Sequence, residues 1–165
     1  MKRNLLICTI AVLFLDIGCA ARYLKSTSPV CQPLSAFDTI VISPVDSSKV
    51  FIEEDQYRGL APNIAVATTE QLKDQIEDSQ MFSRVIQSLD CADGAIKVES
   101  KMFSLSHHRG FHVGIRGQIV NCRTGERLYK FEYDDESDSE AIKIPRQIAE
   151  KLTRGIRAKL ICVKP

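Results

Sequence analysis

Phe111-His112-Val113-Gly114-Ile115-Arg116-Gly117-Gln118-Ile119-Val120-Asn121 alternates its side chains with a period of two along almost its whole length. Phe111, Val113, Ile115, Gly117 and Ile119 share one phase, and His112, Gly114, Arg116 and Gln118 share the other. That is the pattern of a strand with one buried face. Arg109-Gly110 before it suits a turn, and Ala95 to Ser106 before that begins with Ile96 and Val98 alternating with Lys97 and Glu99. Met102 and Phe103 then adjoin and Leu105 continues on the other phase, which a bulge near Lys101 would produce. After the strand, Arg123-Thr124-Gly125-Glu126 reads as a turn, and Tyr129, Phe131 and Tyr133 alternate with Lys130 and Glu132. Three consecutive antiparallel strands follow from this reading.

The flanking sequence supplies what packs on them. Phe37-Asp38-Thr39-Ile40-Val41-Ile42-Ser43 is apolar and β-branched, with Pro44 to end it, and reads as a buried strand, expected at the centre of the sheet. Val45 to Lys49 reads as a loop. Leu60, Ile64, Thr68, Leu72 and Ile76 recur every four residues, giving an amphipathic helix with Pro62 in its first turn. Met81 to Ile86 suggests a short strand before an Asp93-Gly94 turn. The acidic run Asp134 to Glu140 then leads into a second helix carrying Ile144, Ile148, Leu152, Ile156 and Leu160, with Pro145 near its start. All these stripes are buried together in an α+β fold: a mainly antiparallel sheet with two helices packed on one face, in the order β-α-(β)-β-β-β-α.

The chain has 165 residues, 44% hydrophobic and 26% charged, which fits one domain and one core. Its beginning is of another kind. Lys2 and Arg3 precede an apolar run from Leu5 to Leu15, long enough for a secretory signal and short of the ~20 residues of a membrane-spanning helix. Residues 1–18 are therefore expected to be a signal peptide, 19–36 a modified amino terminus and linker, and 37–165 a single α+β periplasmic domain. Without Lys2, Arg3 and Asp16 the mature chain is balanced in charge. Lys151, Arg154, Arg157 and Lys159 alternate with Leu152, Ile156 and Leu160, the solvated side of an amphipathic helix, so no nucleic acid is expected as partner.

Leu15-Asp16-Ile17-Gly18-Cys19-Ala20 resembles the lipobox of bacterial lipoproteins, whose signal peptidase cuts before a cysteine that becomes lipid-modified. Gly18 and Cys19 match, whereas Asp16 stands where the family usually carries an apolar residue. The resemblance implies an acylated Cys19, palmitate among its chains, and a membrane partner held through that anchor; each buried methylene is worth ~0.8 kcal/mol. Ala20, in place of the Asp that tends to retain such proteins at the inner membrane, implies the periplasmic face of the outer membrane. A small-x-small cut at Gly18 and Ala20, or at Cys19 and Ala21, would instead release a soluble periplasmic protein.

Once Cys8 leaves with the signal and Cys19 is assigned to lipid, Cys31, Cys91, Cys122 and Cys162 remain, consistent with an oxidising compartment. Four cysteines allow three pairings, and sequence alone does not choose. Register gives a hint: a turn near Arg109-Gly110 places Cys122 opposite Ile96, within reach of the loop that holds Cys91. Cys91 with Cys122 leaves Cys31 for Cys162.

Phe37-Asp38-Thr39-Ile40-Val41-Ile42-Ser43-Pro44, followed by a helix ending Leu72 … Ile76 … Ser79-Gln80-Met81-Phe82-Ser83-Arg84-Val85, resembles small envelope lipoproteins related to the curli-secretion lipoprotein and to the auxiliary lipoproteins of lipid-transport ABC systems. The resemblance covers roughly residues 37–160 and implies binding or assembly at the envelope, with no catalytic residues to carry over. No G-x-S-x-G, H-E-x-x-H, P-loop or G-x-G-x-x-G appears. His107, His108 and His112 lie close in sequence but match no zinc spacing, and read as solvated turn residues. No metal or other cofactor is expected. The expectation is a non-catalytic accessory, assembly or transport-auxiliary subunit that meets an envelope protein or a copy of itself through its sheet or edge strand. The alternatives are a soluble periplasmic carrier of an apolar ligand and a cell-wall hydrolase.

Overall fold

The computed structural model describes residues 34–108, 110–137 and 140–159, with the side chains of 135–137 outside that description. The signal peptide, Cys19, Cys31, Cys162 and most of the linker lie outside the described residues. The described residues form six strands: β1 (Thr39–Ile42), β2 (Phe51–Ile52), β3 (Arg84–Gln87), β4 (Ile96–His107), β5 (Phe111–Asn121) and β6 (Arg127–Ser137). Two helices join them, α1 (Leu60–Asp78) between β2 and β3 and α2 (Ile144–Ala158) after β6. The class is α+β, with the sheet order β3-β1-β4-β5-β6 and β2 beside β4.

The antiparallel part follows the periodicity. β4 and β5 pair from Ile96↔Asn121 to His107↔Phe111, and β5 pairs with β6 along its length. The bulge falls at Phe103, not Lys101: Met102 faces Ile115 while Ser104 faces Gly114. Inserting one residue keeps Ile96, Val98 and Met102 and then Leu105 on the buried side, so one phase change satisfies both halves of β4. It also moves the register by one beyond the bulge, so Ile96 faces Asn121 where the turn alone would place Cys122. The Phe103 ring lies where a Cβ at Gly114 would go. A second irregularity, at Ile119/Val120 in the β5–β6 pairing, accompanies two adjacent buried residues, Leu128 and Tyr129.

β1 runs parallel to both neighbours, Ile40↔Val85 in β3 and Ile40↔Ile96 in β4. It is an inner strand, but β4 holds the centre. The expected loop after Pro44 stays alongside β4: Asp46 bridges to Lys101, and Phe51 and Ile52 pair with Ser104 and Leu105. Val45 N–H donates to Thr69 Oγ1 at 2.9 Å, and that hydroxyl donates to the Ala65 carbonyl, which fastens this segment to α1. Asp134 to Ser137 continue β6 where the acidic run suggests a loop, because strand pairing with β5 supplies partners for their backbone.

Leu34, Ile40, Ile42, Leu72, Ile76, Ile96, Met102, Leu105, Ile115, Ile144 and Ile148 are fully buried in one core. The core thus begins before Phe37: Leu34 is 0% exposed, and its N–H donates to the Lys159 carbonyl after α2. The helices pack against each other on one face of the sheet. Gln75 near the end of α1 donates to the Arg146 carbonyl near the start of α2.

Candidate functional site

At one end of the sheet the loop of residues 88–94 is held by several independent contacts. Cys91 and Cys122 form a disulfide with their Cα atoms 5.4 Å apart. Ser88 N–H donates to the Ile42 carbonyl, Lys97 Nζ donates to the Leu89 carbonyl at 2.6 Å, and Cys122 N–H donates to the Ala95 carbonyl. Gly94, with φ near 70°, completes the turn in a conformation that disfavours a side chain. Asn121 rather than Cys122 is in register with Ile96, and the bridge closes from the first residue past β5.

The three histidines lie at the opposite end and diverge. His107 is not a solvated turn residue: it pairs with Phe111, and its ring lies 4.6 Å from the Phe111 ring and 5.5 Å from Tyr57. The bulge is the reason, since it puts His107 on the phase of Leu105. His108 Nε2 lies 3.2 Å from a Glu53 oxygen, and His112 Nε2 lies 2.7 Å from an Asp134 oxygen on the neighbouring strand. Among the described residues, no group of three or more His, Cys, Asp or Glu side chains is placed to hold a metal ion. Sequence reasoning missed Tyr57 and the pairing of Glu53 with His108, because they come from a short 3-10 turn and the segment after β2 that carry no periodic signal.

The face of the sheet away from the helices carries Lys97, Glu99, Lys101, Arg116, Gln118, Lys130, Glu132 and Asp134. Gln118 donates to Glu99 at 2.9 Å and Lys97 sits 3.1 Å from Glu99, while the Arg116 guanidinium lies over the Phe103 ring. The Gln118 hydrogen bond, aided by Lys97, holds the Glu99 carboxyl below the usual glutamate range. Asp46 is likewise lowered by its hydrogen bonds with Ser48, and Lys73 is raised by its hydrogen bond with Glu77. Each shift has its cause in a structural pair. β6 closes the sheet at one side with charged residues alternating along it, a composition that discourages strand addition.

No protein-family model matches the chain, and no curated protein matches it. Solved structures do. A PelC dodecamer from Paraburkholderia phytofirmans, in a single-substitution variant, superposes with a TM-score of 0.56 at 11% identity, covering 79% of this chain and 95% of that one. The PelC dodecamer in a second crystal form gives 0.52 at 10% identity, over 79% and 94%. Protein XCC0632 from Xanthomonas campestris gives 0.46 at 13% identity, over 81% and 86%. At these identities the PelC likeness is one of fold: nearly the whole of that chain shares this chain's path. Among the described residues no helix is long and apolar enough to cross a membrane.

Proposed function

We propose that this chain is a non-catalytic subunit of the bacterial envelope, anchored through an acylated Cys19 to the periplasmic face of the outer membrane, and that it works by assembling with copies of itself or with an envelope protein. The observation that carries the reading is the fold shared with nearly all of a PelC chain, a protein described as a dodecamer. Two features of the sequence support it. The basic start and apolar run of residues 1–18 have the form of an export signal, and Gly18-Cys19-Ala20 has the form of a lipid-attachment site. A disulfide between Cys91 and Cys122 suits an oxidising compartment.

Metabolic labelling with palmitate in the producing bacterium tests the anchor. Label is expected on the wild-type chain, in the outer-membrane fraction, and is expected to vanish in Cys19→Ser. A mature amino terminus just after Ala20 or Ala21, with the chain in the soluble periplasmic fraction, overturns the anchor and favours the soluble carrier.

A further inference from the structure

The first and the last described residues meet. Leu34 N–H donates to the Lys159 carbonyl at 3.1 Å. Each side of this contact is fixed by the domain. Leu34 is 0% exposed, and its carbonyl accepts from the Phe37 N–H in the short 3-10 turn that leads into β1. Lys159 N–H donates to the Ile156 carbonyl at the end of α2, and its ammonium lies 5.2 Å from the centre of the Tyr129 ring. Backward in sequence from Leu34 the chain leads to Cys19, the lipid-attachment site proposed above.

Cys31 stands three positions before Leu34, and Cys162 three positions after Lys159. An extended chain advances about 3.3–3.6 Å per residue, so neither cysteine can lie more than about 11 Å from its neighbour in the contact. Going outward from the contact, residue numbers fall on one side and rise on the other, which is the polarity of an antiparallel pair. Positions equally far out are then the ones that can face each other, and 31 with 162 is such a pair. A disulfide needs Cα atoms about 4.4–6.8 Å apart, well inside that reach. Two thiols confined in this way meet at millimolar concentration or above. Cys91 and Cys122 are already bonded to each other, and the export reading removes Cys8 and acylates Cys19, so no other thiol competes.

We propose that Cys31 and Cys162 are joined by a disulfide that clamps the root of the membrane tether to the end of α2. This rests on the proposed export for its oxidising compartment and on the acylated Cys19 for the direction of pull. The bond forms by exchange with a disulfide-bearing oxidant of that compartment, either a protein or a small thiol in its oxidised form. The thiolate of one cysteine attacks the oxidant's disulfide, giving a mixed disulfide and releasing one oxidant thiol. The thiolate of the other then attacks the chain's own sulfur in that mixed disulfide and expels the second oxidant thiol. Two thiols of the chain lose two electrons and two protons, and the oxidant's disulfide becomes two thiols. The bridge has a mechanical consequence. Without it, tension from the membrane acts on Leu34 alone and peels the chain toward β1, an inner strand of the sheet. With it, tension is shared with the end of α2 and Leu34 stays in the core. Cys19 and Cys31 are twelve residues apart, so anchor and clamp are separated by at most about 43 Å.

Peptide mapping of the full chain from the envelope of the producing bacterium tests the bond, with thiols blocked by N-ethylmaleimide before lysis and no reductant present. Trypsin is expected to release residues 26–49 joined to residues 160–165, and residues 85–97 joined to residues 117–123, each linked pair gaining two hydrogens on reduction. Maleimide on both Cys31 and Cys162 while Cys91 stays joined to Cys122, or either of the two joined to a different cysteine, overturns the clamp and leaves the export reading. Maleimide on all four overturns the oxidising compartment as well. Hydrogen exchange in the variant carrying Cys31→Ser with Cys162→Ser reads the mechanical consequence. The Leu34 amide is expected to exchange at least about tenfold faster than in the wild type, because fraying of that end is no longer restrained. Equal rates in the two proteins overturn the clamping role. The peptide map needs no variant, so it decides the bond even where the variant fails to fold.

Discussion

Replacing Cys91 and Cys122 together by alanine removes the cross-link between the loop of residues 88–94 and the end of β5. The two cysteines are 31 residues apart in sequence. Loop-closure entropy for a segment of that length corresponds to about 3.7 kcal/mol at 25 °C. The change isolates this effect well. Cys91 is exposed and Cys122 only half-buried, so truncation to alanine leaves no core cavity. Ser88, Lys97 and the Cys122 backbone still pin the loop, so the folded structure should be kept. The expected loss is about 2–4 kcal/mol, with a rise in the denaturant m-value because the unfolded chain is no longer looped. At about 2.1 cal/mol/K per residue, a domain of roughly 130 residues should lose about 7–15 °C in Tm. Urea unfolding and calorimetry of the double variant beside the oxidised wild type measure both. A double variant within about 0.5 kcal/mol of wild type, with an unchanged m-value, would refute the reasoning.

Three further outcomes follow from the same structure. A Cβ at Gly117 would meet the Glu99 carbonyl and the Phe131 ring, so Gly117→Ala should destabilise by about 1–3 kcal/mol through overpacking, read as a lowered urea midpoint. Because Glu99 is held below its ordinary pKa chiefly by Gln118, its contribution is complete above the usual glutamate range and is lost as pH falls through its lowered value; Glu99→Gln should flatten the fall in urea midpoint between about pH 5 and pH 3, and an unchanged acid limb would count against the pair. Substituting His108 or His112 by alanine should cost less than about 1 kcal/mol, and His107→Ala more than either, because its ring packs on Tyr57 and Phe111; chelator should leave the melt unchanged.

How much was legible in the sequence depended on how regularly each element repeats. β5 was readable over most of its length, because Phe111 to Ile119 alternate before Val120 breaks the pattern. α1 and α2 were readable from their buried stripes, and the bulge in β4 from its change of phase. What escaped was short or depended on distant partners. β2 has two residues, too few for any period, and exists because β4 extends past β1 and leaves an edge to pair. The one-residue displacement of Asn121 and Cys122 against Ile96 follows only once the bulge is placed at Phe103. His107 looked like a turn residue because its aromatic neighbour Tyr57 is 50 positions earlier in the chain. The basic side of α2 was visible as the solvated face of a helix, and Arg154 and Arg157 are exposed there.

Native mass spectrometry of the chain extracted by detergent from the envelope of the producing bacterium tests the central claim most directly, since one spectrum reports both the anchor and the assembly. The account predicts a chain that begins at Cys19, carries the mass of its acyl groups, and appears as a complex containing more than one copy or a stable envelope partner. An unacylated chain beginning at Ala20 or later, present as a single copy without a partner, would contradict it.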